Sequence, residues 1–270
     1  MNWKKDMLIF TSGLLTALTA TALDDPPPPL AAEQVNKLSR HEINWFDRGA
    51  TYNWSETAIT ASDITIGLLI ASPLALAIDK NIRSDFGTVG LMYLETKLFA
   101  ASLPSIGKGS VERIRPYIYN PEAPLEKKLD SDAKRSFFSG HTTMAFATSV
   151  FLAKVYTDYY PNSKTKYFIW AGSMAAASFV GYLRYEAGVH YPSDIMVGGS
   201  YWECSRLPNP IAAHKTISKH QHSTNIKRKS YNDIIYDTVS FAFGGLVLGS
   251  RKLNSFPCTT LTDKNLRRVN

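Results

Sequence analysis

The sequence predicts an all-α protein, a helical bundle of about six helices. Three observations predict this class. Apolar segments of helical length recur along the chain, they are rich in Ala, Leu and Gly, and no long stretch alternates with the period of two that marks a strand. With 44% apolar, 12% aromatic and 20% charged residues, the 270-residue chain resembles neither a disordered protein nor a coiled coil.

The N-terminus has the layout of a secretory signal peptide or an uncleaved membrane anchor, which we assign to residues 1–23. Lys4 and Lys5 precede an apolar stretch over residues 7–22, and small residues ("ATA") precede two acids. An ordinary buried first helix is the alternative. Export also agrees with the cysteines, because Cys204 and Cys258 both follow residue 200.

Residues 24–60 are predicted to be a proline-rich linker followed by an amphipathic region. The segment "DDPPPP" is stiff and separates the N-terminus from the rest of the chain. The mixed polar and aromatic residues that follow favour an amphipathic surface helix bearing Trp45 and Phe46.

The remaining helices are predicted from apolar segments at residues 62–78, 86–103, 142–156 and 168–183, with a weaker one at 239–248. None offers 18 uninterrupted apolar residues, since Pro73 lies in the first segment and Glu95 and Lys97 lie in the second. A membrane-embedded bundle and a soluble exported bundle therefore both remain open. The N-terminus and the flanking Trp and Tyr residues favour membrane association.

The first polar cluster is "KGSVERIRP". Lys108 and Arg115 are seven residues apart, or two helical turns, so both are expected to project from one helix face before Pro116 ends the helix. A solvated face with ion pairs through Glu112 is the alternative interpretation.

The second cluster is Ser139, Gly140 and His141, directly before an apolar run. Ser139 is typical of a helix N-cap. The free amides of the first turn would then face an anion, and Gly140 would let that anion approach the backbone. His141 would stand beside the anion, able to transfer a proton near neutral pH.

The third cluster is "LRYEAGVHYPSD". Arg184 ends one apolar segment, and Pro192 suits the first turn of another helix that includes Asp194. A carboxylate four residues after His190 can accept its ring N–H and fix its tautomer. Three cations, a helix N-terminus and two histidines are what binding and cleaving a phosphate group require.

These residues resemble the type 2 phosphatidic acid phosphatase superfamily, which includes bacterial acid phosphatases and vanadium haloperoxidases. The family signature reads K-x6-R-P, then P-S-G-H, then S-R-x5-H-x3-D, and the resemblance covers residues 62–200. Phe138 and Leu183 replace a Pro and a Ser of the signature, but no charged or proton-transferring group is missing. The matching residues are Lys108, Arg115, Pro116, Ser139, Gly140, His141, Arg184, His190 and Asp194.

The resemblance implies a catalytic core over residues 61–200, with the active site at one end of the bundle. It implies a metal-independent phosphatase that works through a phosphohistidine. His190, oriented by Asp194, would attack phosphorus, and His141 would protonate the leaving oxygen and then activate water. The phosphoryl oxygens would be held by Lys108, Arg115, Arg184, Ser139 and the amide of Gly140. Because His190 must start neutral and His141 protonated, a bell-shaped pH profile is expected.

We therefore expect an exported, membrane-associated phosphatase of the cell envelope, with its site facing away from the cytoplasm and a phosphorylated lipid as substrate. A soluble exported acid phosphatase acting on a small phosphomonoester, a vanadate-dependent haloperoxidase and an inactive scaffold are the alternatives. The substrates left open are phosphatidate, phosphatidylglycerophosphate, an isoprenyl pyrophosphate and lipid A. No cofactor, no metal ion and no nucleic-acid partner is expected.

Two segments around this core are open to alternative interpretations. The loop at residues 117–136 forms either part of the substrate entrance or a simple solvated connection; its charged residues include Lys127, Lys128, Asp130, Asp132 and Lys134. Residues 201–270 carry the whole net charge of +7 and abandon the apolar pattern, which suggests a shifted coding frame near Ser200. A basic tail that contacts anionic lipid is the alternative. Three histidines at 214–222 lack supporting ligands for a metal site.

Overall fold

The computed structural model describes residues 3–203, all within the first of the two units into which the chain divides, Met1–Asn225. Regular structure in this part is helical throughout, which confirms the all-α class, and six of its nine α-helices have seven or more residues. The helices are α1 (Trp3–Leu23), α2 (Ala32–Lys37), α3 (Glu56–Ala71), α4 (Lys80–Arg83), α5 (Phe86–Ser110), α6 (Leu125–Lys128), α7 (Gly140–Tyr159), α8 (Thr165–Glu186) and α9 (Pro192–Glu203). Single 3₁₀ segments lie at Arg40–Glu42, Arg48–Tyr52, Ser72–Ile78, Pro116–Tyr119 and Ser131–Lys134.

Helix α7 is central, and α3, α5, α8 and α9 all pack against it. Its buried side consists largely of small residues, among them Ala145, Ala153 and Thr148, which have no exposed surface. Small side chains let neighbouring helices approach closely, so one helix can support four others. At the end where α5 begins, Phe151 and Val155 continue this core into larger apolar side chains.

The boundaries of the later helices confirm most of the predicted segments. Helix α7 begins directly after Ser139, whose hydroxyl oxygen accepts a hydrogen bond from the Thr142 amide at 3.4 Å. Helix α9 begins at Pro192, which suits a first turn because its missing N–H would have no partner there. Between α8 and α9, Gly188 has φ of +68°, and a Cβ there would lie 2.1 Å from the carbonyl oxygen of Asn53. Only glycine fits this turn, which sets the position of the loop before α9.

The structure corrects two local predictions. The surface helix expected around Trp45 and Phe46 does not form; short 3₁₀ segments flank this pair instead. Side chains satisfy the local backbone, as where the Asn44 side chain accepts from the Asp47 amide at 3.0 Å, and this competes with helix formation.

The second correction concerns the face shared by Lys108 and Arg115. Helix α5 ends at Ser110, and Val111 is already extended, so Arg115 does not lie on the helix with Lys108. The Arg115 amide donates to the carbonyl of Ala133 at 2.8 Å, and the Ser136 amide donates to the carbonyl of Arg113 at 3.0 Å. These bonds to the loop at 117–136 replace the hydrogen bonds that a continuing helix would make.

Two helical stretches carry much exposed apolar surface. Among the described residues one stretch, Glu56–Ile78, is long and apolar enough to cross a membrane; it comprises α3 and the 3₁₀ segment that follows. Helix α1 packs along α5, where Gly13 lies against Leu98 and Phe99, while its opposite side is exposed. The weaker apolar segment predicted at 239–248 lies outside the described residues.

Candidate active site

The predicted site residues meet at the end of the bundle where α5 and α8 finish and α7 and α9 begin. A Cβ at Gly140 would lie 4.0 Å from Lys108 Nζ, which brings the start of α7 to the end of α5. The Ser139 amide donates to the carbonyl of Asp194 at 3.3 Å, which ties α7 to α9. The structure thus brings residues from three distant sequence clusters together at one end of the bundle.

The three cations differ in how many hydrogen bonds and ion pairs they make with the rest of the protein. Arg115 is 4% exposed and donates to the Asp132 carboxylate at 2.9 Å, to the Asp132 carbonyl at 2.8 Å and to the Val189 carbonyl at 3.0 Å. Lys108 makes no hydrogen bond or ion pair with any other described residue. Burial, together with the charges of Arg115 and Arg184, lowers the pKa of Lys108 to about 8.

Arg184 is only partly satisfied. Its Nη1 donates to the Ser62 hydroxyl at 3.0 Å and lies 3.5 Å from the Asp63 carboxylate. Its Nε–H is buried and has no hydrogen-bond partner among the described residues. Burial and the Arg115 charge lower the pKa of Arg184 to about 10. A buried donor without an acceptor costs free energy, and an anion bound beside it would remove that cost.

His190 is fixed by a backbone carbonyl. It is 1% exposed, and its Nδ1 lies 2.7 Å from the carbonyl oxygen of Ser136. Because a carbonyl only accepts, Nδ1 carries the proton and Nε2 keeps its lone pair. Burial and the neighbouring cations hold the pKa of His190 well below its ordinary value, so the ring is neutral. A neutral imidazole with a free Nε2 is a nucleophile.

The direct hydrogen bond expected between His190 and Asp194 is not made, because Nδ1 lies 3.8 Å from the nearer carboxylate oxygen. Asp194 has no exposed surface and instead accepts from the Ser136 hydroxyl at 2.6 Å and the Tyr191 amide at 3.0 Å. Arg113 donates to its other oxygen. Burial raises the pKa of Asp194, although all three donors favour the carboxylate.

Arg113 connects Asp194 to the N-terminal region of the chain. Its Nη2 donates to Asp47 at 2.7 Å, and its guanidinium lies 4.1 Å from the centre of the Tyr191 ring. Asp47 is 2% exposed and also accepts from the Ser193 hydroxyl and amide, at 2.7 and 3.0 Å. Burial alone would raise the pKa of Asp47, but the hydrogen bonds from Asn44, Ser193 and Arg113 outweigh it and lower the pKa.

His141 lies at the more open side of the site. Its Nε2 is 2.9 Å from the carboxylate of Asp63 on α3. Burial and the Arg184 charge lower the pKa of His141 to about 4, against the opposing effect of Asp63. A bound dianion would raise this pKa, because negative charge stabilises the imidazolium.

Sequence reasoning missed four polar residues of this region: Asp47, Asp63, Arg113 and Ser136. Arg113 and Ser136 lie within or beside the recognised motifs, so their chemistry was visible but their partners were not. Asp47 and Asp63 are far from the motifs in sequence, and only the fold brings Asp47 to Arg113 and Asp63 to His141. Among the described residues, no group of three or more His, Cys, Asp or Glu side chains could hold a metal ion. The histidines at 214–222 lie outside those residues.

The fold and the site together define a helical protein with a cluster of cationic side chains beside a buried neutral histidine. Residues 89–201 match the family model of the PAP2 superfamily, and this match supports membership of the type 2 phosphatidic acid phosphatase superfamily. The match supports phosphatase-type activity, that is, a phosphoric monoester hydrolase in general. No curated protein and no solved structure matches the chain.

Proposed function

We propose that the protein is an exported, membrane-associated phosphatase that hydrolyses a lipid phosphomonoester through a phosphohistidine on His190. One observation carries the chemistry: a buried, neutral His190 lies among three cations that keep donors for an anion, and Lys108 and Arg184 are the least satisfied by the protein itself. A phosphoryl group would supply both the missing negative charge and the electrophile for Nε2.

The first step transfers the phosphoryl group to the enzyme. His190 Nε2 forms a bond to phosphorus while the bond from phosphorus to the leaving oxygen breaks, and His141 gives that oxygen a proton. Lys108, Arg115, Arg184, Ser139 and the amide of Gly140 hold the phosphoryl oxygens. In the second step His141 takes a proton from water, which attacks phosphorus, and the P–N bond breaks to release phosphate.

The pKa values of the two histidines give the proposed pH dependence. His141 must be protonated to act as an acid, and its pKa in the free enzyme is about 4. His190 must be neutral, and its lowered pKa allows this in acid. Because kcat/KM reports the free enzyme, we expect its bell-shaped profile to lie on the acid side of neutrality. The kcat profile should lie at higher pH, since bound phosphate raises the pKa of His141.

Exposed apolar surface supports a membrane-associated site. Leu15 and Leu18 on α1 are 64% and 58% exposed, and Leu68 on α3 is 69% exposed. Helix α1 also ends beside the site. A Cβ at Gly109, the residue after Lys108, would lie 2.0 Å from the carbonyl oxygen of Leu23. Asp24, the next residue after α1, forms an ion pair with Arg135. A lipid whose tails lie along these helices could present its phosphate to Lys108. We further propose that residues 1–23 remain attached as an anchor.

Phosphate release from a substrate panel tests the proposal. The panel contains phosphatidate, phosphatidylglycerophosphate, an isoprenyl pyrophosphate, lipid A and a water-soluble aryl phosphate, assayed separately in membrane and soluble fractions. We expect a lipid phosphate to be preferred, activity in the membrane fraction, and a loss of at least about 10³-fold in His190→Ala.

Full activity of His190→Ala would contradict the mechanism. Preference for the aryl phosphate in the soluble fraction would favour a soluble exported acid phosphatase instead. Vanadate-dependent halide oxidation in place of phosphate release would indicate a haloperoxidase, and no turnover at all would favour a scaffold. The proposed frame shift and basic tail concern residues outside the described part, and resequencing the gene decides between them.

A further inference from the structure

Ser136 lies between the two groups that the family resemblance places in direct contact. Its carbonyl oxygen accepts the Nδ1 proton of His190 at 2.7 Å, and its hydroxyl donates to Asp194 at 2.6 Å. The distance from His190 to the same carboxylate oxygen is 3.8 Å, beyond a hydrogen bond. Ser136 has no exposed surface, so water does not compete for these bonds.

The backbone of Ser136 is held on a third side. Its amide donates to the carbonyl of Arg113 at 3.0 Å, and the guanidinium of the same Arg113 binds Asp194. Arg113 is itself anchored by Asp47, which is 2% exposed. The amide, the hydroxyl and the carbonyl of Ser136 therefore each have one fixed partner. A residue bonded at all three polar groups has little freedom to move its carbonyl away from His190.

We propose that Ser136 is the positioning residue through which Asp194 orients His190. Asp194 holds the Ser136 hydroxyl, this bond fixes the Ser136 carbonyl, and the carbonyl keeps the proton of His190 on Nδ1. The lone pair of Nε2 is thereby directed at phosphorus. This inference rests on the proposed function, in which His190 is the nucleophile.

The physical consequence is a specific defect when the hydroxyl is removed. In Ser136→Ala the carbonyl remains but loses its lateral anchor, and Asp194 loses one of three donors. His190 can then rotate or place its proton on Nε2, and that tautomer cannot attack. The cations that bind the phosphoryl group keep their own contacts, so substrate binding should not change. The defect should therefore appear in kcat and not in KM.

The test measures phosphohistidine formation by rapid quench in Ser136→Ala, with Ser149→Ala as the matched control. Ser149 is also fully buried, but it lies on α7 and its hydroxyl has no hydrogen-bond partner among the described residues. We expect Ser136→Ala to form phosphohistidine about tenfold more slowly, because one buried hydrogen bond is lost. Its KM should stay within about twofold of the wild-type value. Ser149→Ala should match the wild type. Circular dichroism and thermal melting verify that both variants are folded.

A double-mutant cycle with Asp194→Asn tests the route of the coupling. If Asp194 acts through Ser136, the double variant should be no slower than Asp194→Asn alone, because the same link is already broken. Multiplicative losses would mean that the two residues act independently and would overturn the inference. An unchanged rate in Ser136→Ala would overturn it as well.

His190→Ala is measured in parallel to separate the two claims. Loss of phosphate release in His190→Ala together with an unaffected Ser136→Ala would overturn only the assignment of Ser136. Full activity of His190→Ala would overturn the proposed function and this inference with it.

Discussion

The two sides of the candidate site differ in how completely the protein satisfies its own polar groups. On the side of His190, Asp194 accepts from three donors, and Arg113 bridges Asp194 and Asp47. On the side of the cations that we propose bind phosphate, Lys108 makes no hydrogen bond to a described residue and the Nε of Arg184 is buried without an acceptor among them. We refer to these as the bonded side and the cationic side.

Under the proposed function, this difference separates groups that hold a catalytic geometry from groups that bind the substrate phosphate. Burial and the charges of neighbouring cations disfavour the charged forms of Lys108 and Arg184 and lower their pKa values, which destabilises the folded state. A fold tolerates such a cluster when a bound anion repays the cost. The bonded side has no such need, because its carboxylates already accept hydrogen bonds from protein donors. Its contribution is rigidity, so a substitution there should alter orientation and leave affinity unchanged.

Among substitutions that leave the histidines in place, the largest effect should come from the cationic side, in Arg184→Gln. The substitution removes a buried positive charge that would stabilise the transferring phosphoryl group, so kcat/KM should fall about 10²- to 10³-fold. Steady-state kinetics on the preferred lipid phosphate measure this. Arg83→Gln removes an exposed charge from α4, before the distant start of α5, and should retain wild-type activity. Equal activity of the two variants would contradict the distinction between the sides.

The next effect is an alkaline loss of anion affinity that depends on Lys108. Its pKa of about 8 means that it is charged below pH 8 and neutral above it. The inhibition constant of inorganic phosphate should therefore weaken by up to about tenfold per pH unit above pH 8. An arginine at position 108 stays protonated, and Arg184, with its pKa of about 10, stays mostly protonated up to pH 9, so Lys108→Arg should bind phosphate with little change between pH 8 and 9. A wild-type constant that is flat over that range would show that Lys108 does not bind the anion.

A smaller effect should appear at His141 when its partner is neutralised in Asp63→Asn. The Asp63 charge raises the pKa of His141, so its loss lowers that pKa further and leaves less imidazolium at any pH above 4. The alkaline limb of kcat/KM should move down by about half a pH unit, or about threefold in rate at fixed pH. Glu56→Gln, an exposed change on the same helix, is the control. If the alkaline limb of kcat/KM stays in place, Asp63 is not the residue that raises the pKa of His141.

The smallest effect should come from Lys127→Ala in the loop at residues 117–136. The Lys127 side chain is exposed and makes no ion pair with a described residue, so activity should stay within about twofold. Asp132→Ala in the same loop should be far more damaging, because it releases Arg115. Equal losses in both variants would instead mean that the loop acts as a whole, as part of the substrate entrance.

Much of the bundle could be predicted from composition and periodicity. The apolar segments at 142–156 and 168–183 lie within α7 and α8, and Ser139 caps α7 as expected. These features depend on neighbours within one or two helical turns, which the sequence displays directly. The prediction that Arg115 shares a helix face with Lys108 was wrong because that placement depends on residues distant in sequence. Hydrogen bonds to Ala133 and from Ser136, about twenty residues later, end the helix early.

The sequence by itself determined the residue types that the chemistry needs, because each motif keeps its cations, histidines and caps at a local spacing. Only the tertiary structure decided their partners. Asp47 and Asp63 reach the site from regions with no motif, and Ser136 takes the bond expected of Asp194. The physical reason is that a hydrogen bond depends on a fraction of an ångström between chain segments distant in sequence. Periodicity predicts which helices form, but not which of two nearby acceptors a buried imidazole reaches.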